Sequence, residues 1–127
     1  MHSSFLMKIF LDTADTDIIS KYFSTGLVDG VTTNPTLIMK SGKNPEDVYQ
    51  TIKDIGVRDI SMEVVGSDLE MYDEGLRLYQ KFGDVATIKV PCTREGLIVC
   101  KRLSEQGIKV NVTLIFSAAQ AVLAAKA

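Results

Sequence analysis

Tryptophan is absent from the chain, and histidine occurs once, cysteine twice and proline three times in 127 residues. Cys92 and Cys100 have neither metal-ligand spacing nor a CxxC pattern, so redox and metal roles for them are set aside and they read as buried or half-buried thiols of a reducing compartment. A large excess of one sign of charge is also missing. The net charge is −2 and the isoelectric point is near 5.3, which leaves no global basic field to attract nucleic acid or an anionic membrane. No apolar run approaches the ~18 to 20 residues of a membrane span. The run from Phe5 to Leu11 is interrupted by Lys8 and lacks the flanks of a signal peptide, so it is read as a first strand. Residues 1–6, ahead of a second methionine at Met7, are expected to be a leader or residues added in cloning. Repeats and low-complexity linkers are missing too.

What is present describes one soluble globular domain: 46% of residues are hydrophobic and 24% charged, enough apolar surface for a core. Short apolar runs alternate with amphipathic stretches. Strands are predicted at Lys8 to Asp12, Gly30 to Asn34, Asp59 to Val64, Ala86 to Pro91 and Lys109 to Thr113. Helices are predicted between them. The first opens at Asp15 and Asp17, carries Ile18, Ile19, Tyr22 and Phe23, and stops at Gly26. Two short helices fit Thr36 to Lys40 and Pro45 to Ile55, separated by turn residues Ser41 to Asn44. Ser67 to Glu70 reads as a capping box for a helix with Leu69, Tyr72, Leu76 and Tyr79 along one face. Thr93 caps the next, with Leu97, Cys100 and Leu103 inward and Gly107 as a left-handed exit; Ser117 to Gln120 is a further capping box that opens a terminal helix.

Strand and helix alternating at roughly 25 residues imply parallel strands joined by right-handed crossovers. Thr13-Ala14-Asp15-Thr16 after the first strand is nothing like the GxGxxG of a dinucleotide-binding sheet, and a (β/α) barrel is preferred to an open doubly wound sheet. Side-chain alternation divides the strands into two faces. One carries Ile9 and Leu11, Val31 and Thr33, Ile60, Met62 and Val64, Ala86, Ile88 and Val90, Val110 and Val112, and should meet the helices. The other ends, strand by strand, in Asp12, Asn34, Glu63, Lys89, and Asn111 with Thr113. In a barrel those carboxyl ends converge on the face where active sites of this fold lie.

Lys89 is the odd residue in that set, because an apolar strand has no structural use for an ammonium group. Burying one unpaired costs several kcal/mol unless the amine gives up its proton, and a neutral amine attacks carbonyl carbon. The plainer alternative is a lysine snorkelling from a strand terminus. An amine flanked by carboxylates that move protons can form a carbinolamine, dehydrate it to an imine and use the imine as electron sink for carbon–carbon cleavage; amides and a hydroxyl can hold substrate hydroxyls. A metal held by Asp12 and Glu63 is poorly supported, because no histidine stands near them and a lysine beside them opposes a cation.

The same residues carry a resemblance. Leu11-Asp12-Thr13-Ala14, Gly30-Val31-Thr32-Thr33-Asn34-Pro35-Thr36, Ile88-Lys89-Val90-Pro91 and the run Asn111 to Ala121 resemble successive motifs of the transaldolase family in its small-subunit branch, from Met7 to Ala127. The resemblance implies an α/β fold of the (β/α)8 TIM-barrel type and a class I enzyme of the pentose phosphate pathway. It moves a dihydroxyacetone unit from a ketose phosphate such as sedoheptulose 7-phosphate or fructose 6-phosphate to an aldose phosphate. It further implies Lys89 as the Schiff-base lysine and Asp12 as proton-transfer group at the substrate C4 hydroxyl. Asn34 and Asn111, with Thr33, would bind the three-carbon unit, and Glu63 and Thr113 would hold and activate water. Fructose-6-phosphate aldolases look similar but carry glutamine where Glu63 stands, so glutamate favours transaldolase.

No cofactor and no metal are implied; the expected partners are sugar-phosphate substrates and further copies of the chain in a homo-oligomer, with no nucleic acid and no membrane, in the cytoplasm. Residues 7–127 would form the amino-terminal part of a single barrel domain, about the first five βα units of eight, with the phosphate-binding groups on the later strands. Two further readings are an aldolase-like activity on fructose 6-phosphate and a non-catalytic barrel fragment that associates with itself through its open edges.

Overall fold

The computed structural model describes residues 7–113. In chain order the elements are β1 (Phe10–Asp12), α1 (Thr16–Phe23), β2 (Gly30–Thr32), α2 (Pro35–Lys40), α3 (Pro45–Ile55), β3 (Ile60–Glu63), α4 (Asp68–Phe82), a 3-10 turn (Gly83–Val85), β4 (Ala86–Pro91), α5 (Arg94–Glu105) and β5 (Lys109–Thr113). The strands are parallel and belong to one sheet in the order β1-β2-β3-β4-β5. Sequence order equals spatial order, with none of the reversal that makes the switch point of a doubly wound sheet. Among the described residues this is the α/β pattern of a (β/α)8 barrel carried through four βα units and a fifth strand. The predicted terminal helix and its Ser117 capping box, like residues 1–6, lie outside the described residues.

The chain divides into two compact units, Met1–Ile60 and Ser61–Ala127. In the first, local chemistry sets every helix start. Asp15 accepts from the backbone N–H of Asp17 and Ile18 at the head of α1. Asn34 and Asn44 do the same for α2 and α3, each followed by a proline whose fixed φ suits the first helical position. Gly56 ends α3 at φ 112, in the left-handed region where glycine meets no Cβ penalty. α1 packs on α3, and Ile19, Val31, Ile38, Val48 and Ile52 are buried. β1 starts at Phe10, two residues after the predicted Lys8, and β2 stops at Thr32 rather than Asn34. Asn34 leaves the ladder because its side chain caps α2.

In the second unit, the Ser67 capping box is formed in both directions: Glu70 N–H donates to Ser67 Oγ at 3.2 Å and Ser67 N–H to Glu70 Oε1 at 2.9 Å. The inward stripe of α4 is Met71, Gly75, Leu78 and Phe82, while of the face formed by Leu69, Tyr72, Leu76 and Tyr79 the first is exposed and the others are half-buried. Gly75 explains this orientation. A Cβ there would lie 2.9 Å from Leu103 Cδ1, so α5 drives its leucine into the space the glycine leaves and sets which side of α4 faces inward. On α5, Val99, Cys100 and Leu103 are buried as a stripe, while Leu97 is only half-buried. Thr93 caps α5 at Gly96 N–H, and Gly107 leaves it at φ 79, both as predicted.

The predicted apolar strand face is buried through the middle of the sheet: Val31, Ile60, Met62, Ala86, Ile88 and Val90 are inaccessible. It weakens on the first and last strands, where Leu11, Val110 and Val112 are half-buried. Each of those strands has a neighbour on one side only in the described sheet.

Candidate functional site

β1 and β2 are in register with Asp12 opposite Thr32. Both lie at the carboxyl ends of their strands, and Thr32 donates its hydroxyl to Asp12 Oδ1 at 3.0 Å. Asp12 is exposed, with that bond on one oxygen. Thr33 is 2% exposed, on the buried parity with Val31. The hydroxyl that reaches the carboxylate is therefore Thr32, which the sequence reading did not single out. Strand alternation was the available signal, since Thr32 and Asn34 share a parity that Thr33 does not. Asn34 is exposed, and its Oδ1 accepts from Thr36 N–H at 3.0 Å and Leu37 N–H at 3.3 Å, so the oxygen end of its amide is held by α2.

The second unit supplies the remaining candidates. Glu63 is the last residue of β3 and is half-buried. Lys89 is the fourth residue of β4, half-buried between the inaccessible Ile88 and Val90. Its carbonyl accepts from Val64 N–H at 3.0 Å, which fixes the end of β3 just beyond Glu63 beside it. On the other side Lys89 stands in register with Asn111 of β5, so in a parallel ladder their side chains emerge next to each other. Pro91 is in register with Thr113, whose hydroxyl donates to Val90 carbonyl at 3.2 Å and whose carbonyl accepts from Cys92 N–H at 2.9 Å. The structure thus aligns Glu63, Lys89, Asn111 and Thr113 along three adjacent strand ends: a carboxylate, an amine, an amide and a hydroxyl.

Burial of the Cys100 thiol raises its pKa above the ordinary value, with Ser104 opposing part of the shift through a hydrogen bond; Cys100 belongs to the buried stripe of α5. Among the described residues no group of three or more His, Cys, Asp or Glu is placed to hold a metal ion, and no helix is long and apolar enough to cross a membrane. A recess of about 360 Å³ in the first unit is lined by Asp15, Asp17, Leu37, Ser41 and Lys43. None of the strand-end candidates borders it.

The sequence matches the family model described as Transaldolase/Fructose-6-phosphate aldolase over residues 9–127. It is 54% identical over 121 residues to a protein of Nitrosopumilus maritimus named "Probable transaldolase", covering 94% of this chain and 54% of that one. Proteins of the same name from Anaeromyxobacter dehalogenans and Paracoccus denitrificans are 53% and 54% identical over 122 residues, covering 95% of this chain and 56% of theirs. The chain spans about half the length of the curated relatives it matches.

Proposed function

Because this chain belongs to the transaldolase/fructose-6-phosphate aldolase family, we propose that it carries the Schiff-base half of a transaldolase site. The reaction moves a dihydroxyacetone unit between a ketose phosphate and an aldose phosphate in the pentose phosphate pathway. The observation that carries this reading is Lys89 itself. A half-buried lysine sits among inaccessible apolar neighbours on a strand paired on both sides, its backbone held beside the end of β3 and its side chain beside Asn111.

The chemistry follows from those groups. The Lys89 amine adds to the ketose carbonyl carbon, and the carbinolamine loses water to give an imine. Asp12 takes the proton of the C4 hydroxyl, the C3–C4 bond breaks, and its electron pair flows into the iminium as the aldose phosphate leaves. The retained enamine adds to the aldehyde carbon of an incoming aldose phosphate, Asp12 returns the proton, and water releases the new ketose phosphate. Glu63 and Thr113 hold and activate the water of imine formation and hydrolysis. Asn111 and Asn34 hold the three-carbon unit. Thr33 is the weakest of the assigned binding groups, given its burial.

Glu63 favours transfer over simple aldol cleavage, because a carboxylate exchanges protons with water and the glutamine of the related aldolases does not. In this reading residues 7–127 form the amino-terminal part of a single barrel domain, the enzyme is cytoplasmic, and barrels associate as a homo-oligomer. A self-associating, non-catalytic role is favoured by one observation, the exposure of Ile9 and Phe10, each 39%, at the first strand of the sheet.

Intact-mass spectrometry after incubation with fructose 6-phosphate and borohydride, with Lys89→Met as control, tests the reading. A stable adduct of one dihydroxyacetone unit on Lys89 supports it. A folded chain that forms no adduct points to the non-catalytic role.

A further inference from the structure

Beyond the lysine strand, at the first turn of α5, a glycine lies against the backbone of β4. A Cβ built on Gly96 would fall 1.9 Å from the carbonyl oxygen of Pro91 and 2.9 Å from its carbonyl carbon. The obstacle is main chain, so no side-chain rotation relieves it. Gly96 is buried, and its N–H donates to Thr93 Oγ1 at 3.0 Å, which fixes the turn at this distance. Pro91 is two residues past Lys89. The intervening Val90 carbonyl accepts from Thr113 Oγ1 at 3.2 Å, and Cys92 N–H donates to Thr113 carbonyl at 2.9 Å.

The segment Lys89 to Cys92 is therefore held from three directions, by Val64 N–H on the Lys89 carbonyl at the β3 side, by β5 through Thr113, and from beyond by the bare Cα of Gly96. We infer that Gly96 is a positioning residue for Lys89: its missing side chain lets α5 seat on the end of β4 and thereby sets where the amine stands. The inference rests on the Lys89 reading above and adds to it a residue that touches neither substrate nor lysine. Any side chain at position 96 has to push the Pro91 carbonyl back by about an ångström or more to reach ordinary contact. A displacement of that size outlasts the 3.2 Å tie from Thr113 to Val90 and reaches Lys89 one residue further on.

Gly75 provides the comparison, since its added Cβ would meet the flexible tip of Leu103 at 2.9 Å, in the α4–α5 packing. The experiment uses the chain labelled with [13Cε]lysine, the Lys89 signal assigned from Lys89→Met, and follows that signal and the rate of borohydride-trapped adduct in Gly96→Ala and Gly75→Ala. Gly96→Ala is expected to move the Lys89 resonance while leaving the surface lysines in place, and to slow trapping by up to about a hundredfold. Gly75→Ala is expected to lower the melting temperature without moving Lys89.

If Gly96→Ala loses stability as Gly75→Ala does while the Lys89 signal and trapping rate stay at their wild-type values, the positioning role is overturned. Thr93→Val, which removes the cap on Gly96 without adding a heavy atom, covers the case in which Gly96→Ala does not fold; an unmoved Lys89 signal there overturns the role equally. A wild-type chain that forms no adduct counts against the Schiff-base reading alone, because the resonance still reports the position of the lysine.

Discussion

Thr32 and Asp12 meet across the first two strands, hydroxyl to carboxylate at 3.0 Å, with their Cα atoms paired in the ladder. The bond takes up one lone pair of Asp12 Oδ1 and orients the carboxylate. Thr32→Val removes the donor and keeps the shape. We expect slower proton transfer at the C4 hydroxyl, by roughly tenfold for loss of a hydrogen bond to a charged group. In the borohydride experiment the uncleaved ketose adduct then accumulates relative to the dihydroxyacetone adduct, while total trapping on Lys89 is retained. An unchanged ratio of the two adducts would separate Thr32 from the chemistry.

Glu63→Gln keeps the volume at the end of β3 and removes the ionisable carboxyl group. Transfer to an aldose phosphate is expected to fall more than ketose-phosphate binding does. Parallel measurement of turnover and of binding by calorimetry decides this, and equal losses would make Glu63 a structural residue.

The capping box at the head of α4 gives an acid-side prediction. Hydrogen bonding from Ser67 backbone and hydroxyl lowers the Glu70 pKa below its ordinary value of 4.5. A carboxyl group whose folded-state pKa is depressed contributes stability above its unfolded value, and that contribution is lost as pH falls through the folded value. The urea midpoint of the wild-type chain should exceed that of Glu70→Gln at pH 6, with the gap closing below pH about 4.5. Ser67→Ala should cost about 1 kcal/mol at neutral pH.

Cys100 gives the opposite slope. Burial raises the folded-state pKa of its thiol above 9.0, so as pH rises past that value the unfolded chain ionises while the folded chain keeps its proton, and stability declines. Cys100→Ala should flatten the decline expected between pH 8 and 10 in thermal melts, allowing about one unit either side of the ordinary thiol value. Under native conditions iodoacetamide should label half-buried Cys92 well before Cys100.

Gly30 is the tightest packed glycine of the first unit. An added Cβ would lie 2.4 Å from Phe10 Cε2 and 2.7 Å from the Asp59 carbonyl oxygen. Gly30→Ala should destabilise by about 1–3 kcal/mol in chemical denaturation. Adding Phe10→Leu should recover only part of that loss, since the Asp59 contact is backbone.

Local chemistry was the readily legible part of this chain. The limits of α3, β4 and β5, the capping box at Ser67 and the glycine exit at Gly107 follow from neighbouring residues alone, and the structure has them where the sequence predicts. The inward face of α4 was not legible, because it depends on Leu103 filling the gap above Gly75, a contact between elements distant in sequence. The pairing of Thr32 with Asp12 is hidden for the same reason: alternation tells which threonine shares a face with Asn34, but only strand register tells which residue stands opposite. The alternating polar strand ends were visible as a set, and the structure adds the ties through Val64, Val90 and Cys92 that hold the second unit's members in line.

Asn34 spends its carbonyl oxygen on two backbone N–H groups of α2, and this gives its amide a polarity. A free carboxamide can turn over and present either end to a ligand. One anchored by its oxygen presents the NH2 group, so the exposed side of Asn34 discriminates by hydrogen-bond sense: it welcomes a lone pair and offers nothing to a proton. A carboxylate in its place could still cap the helix, but it would greet the same ligand oxygen with repulsion. The short helix after β2 thus acts as a latch that makes a two-faced side chain single-minded.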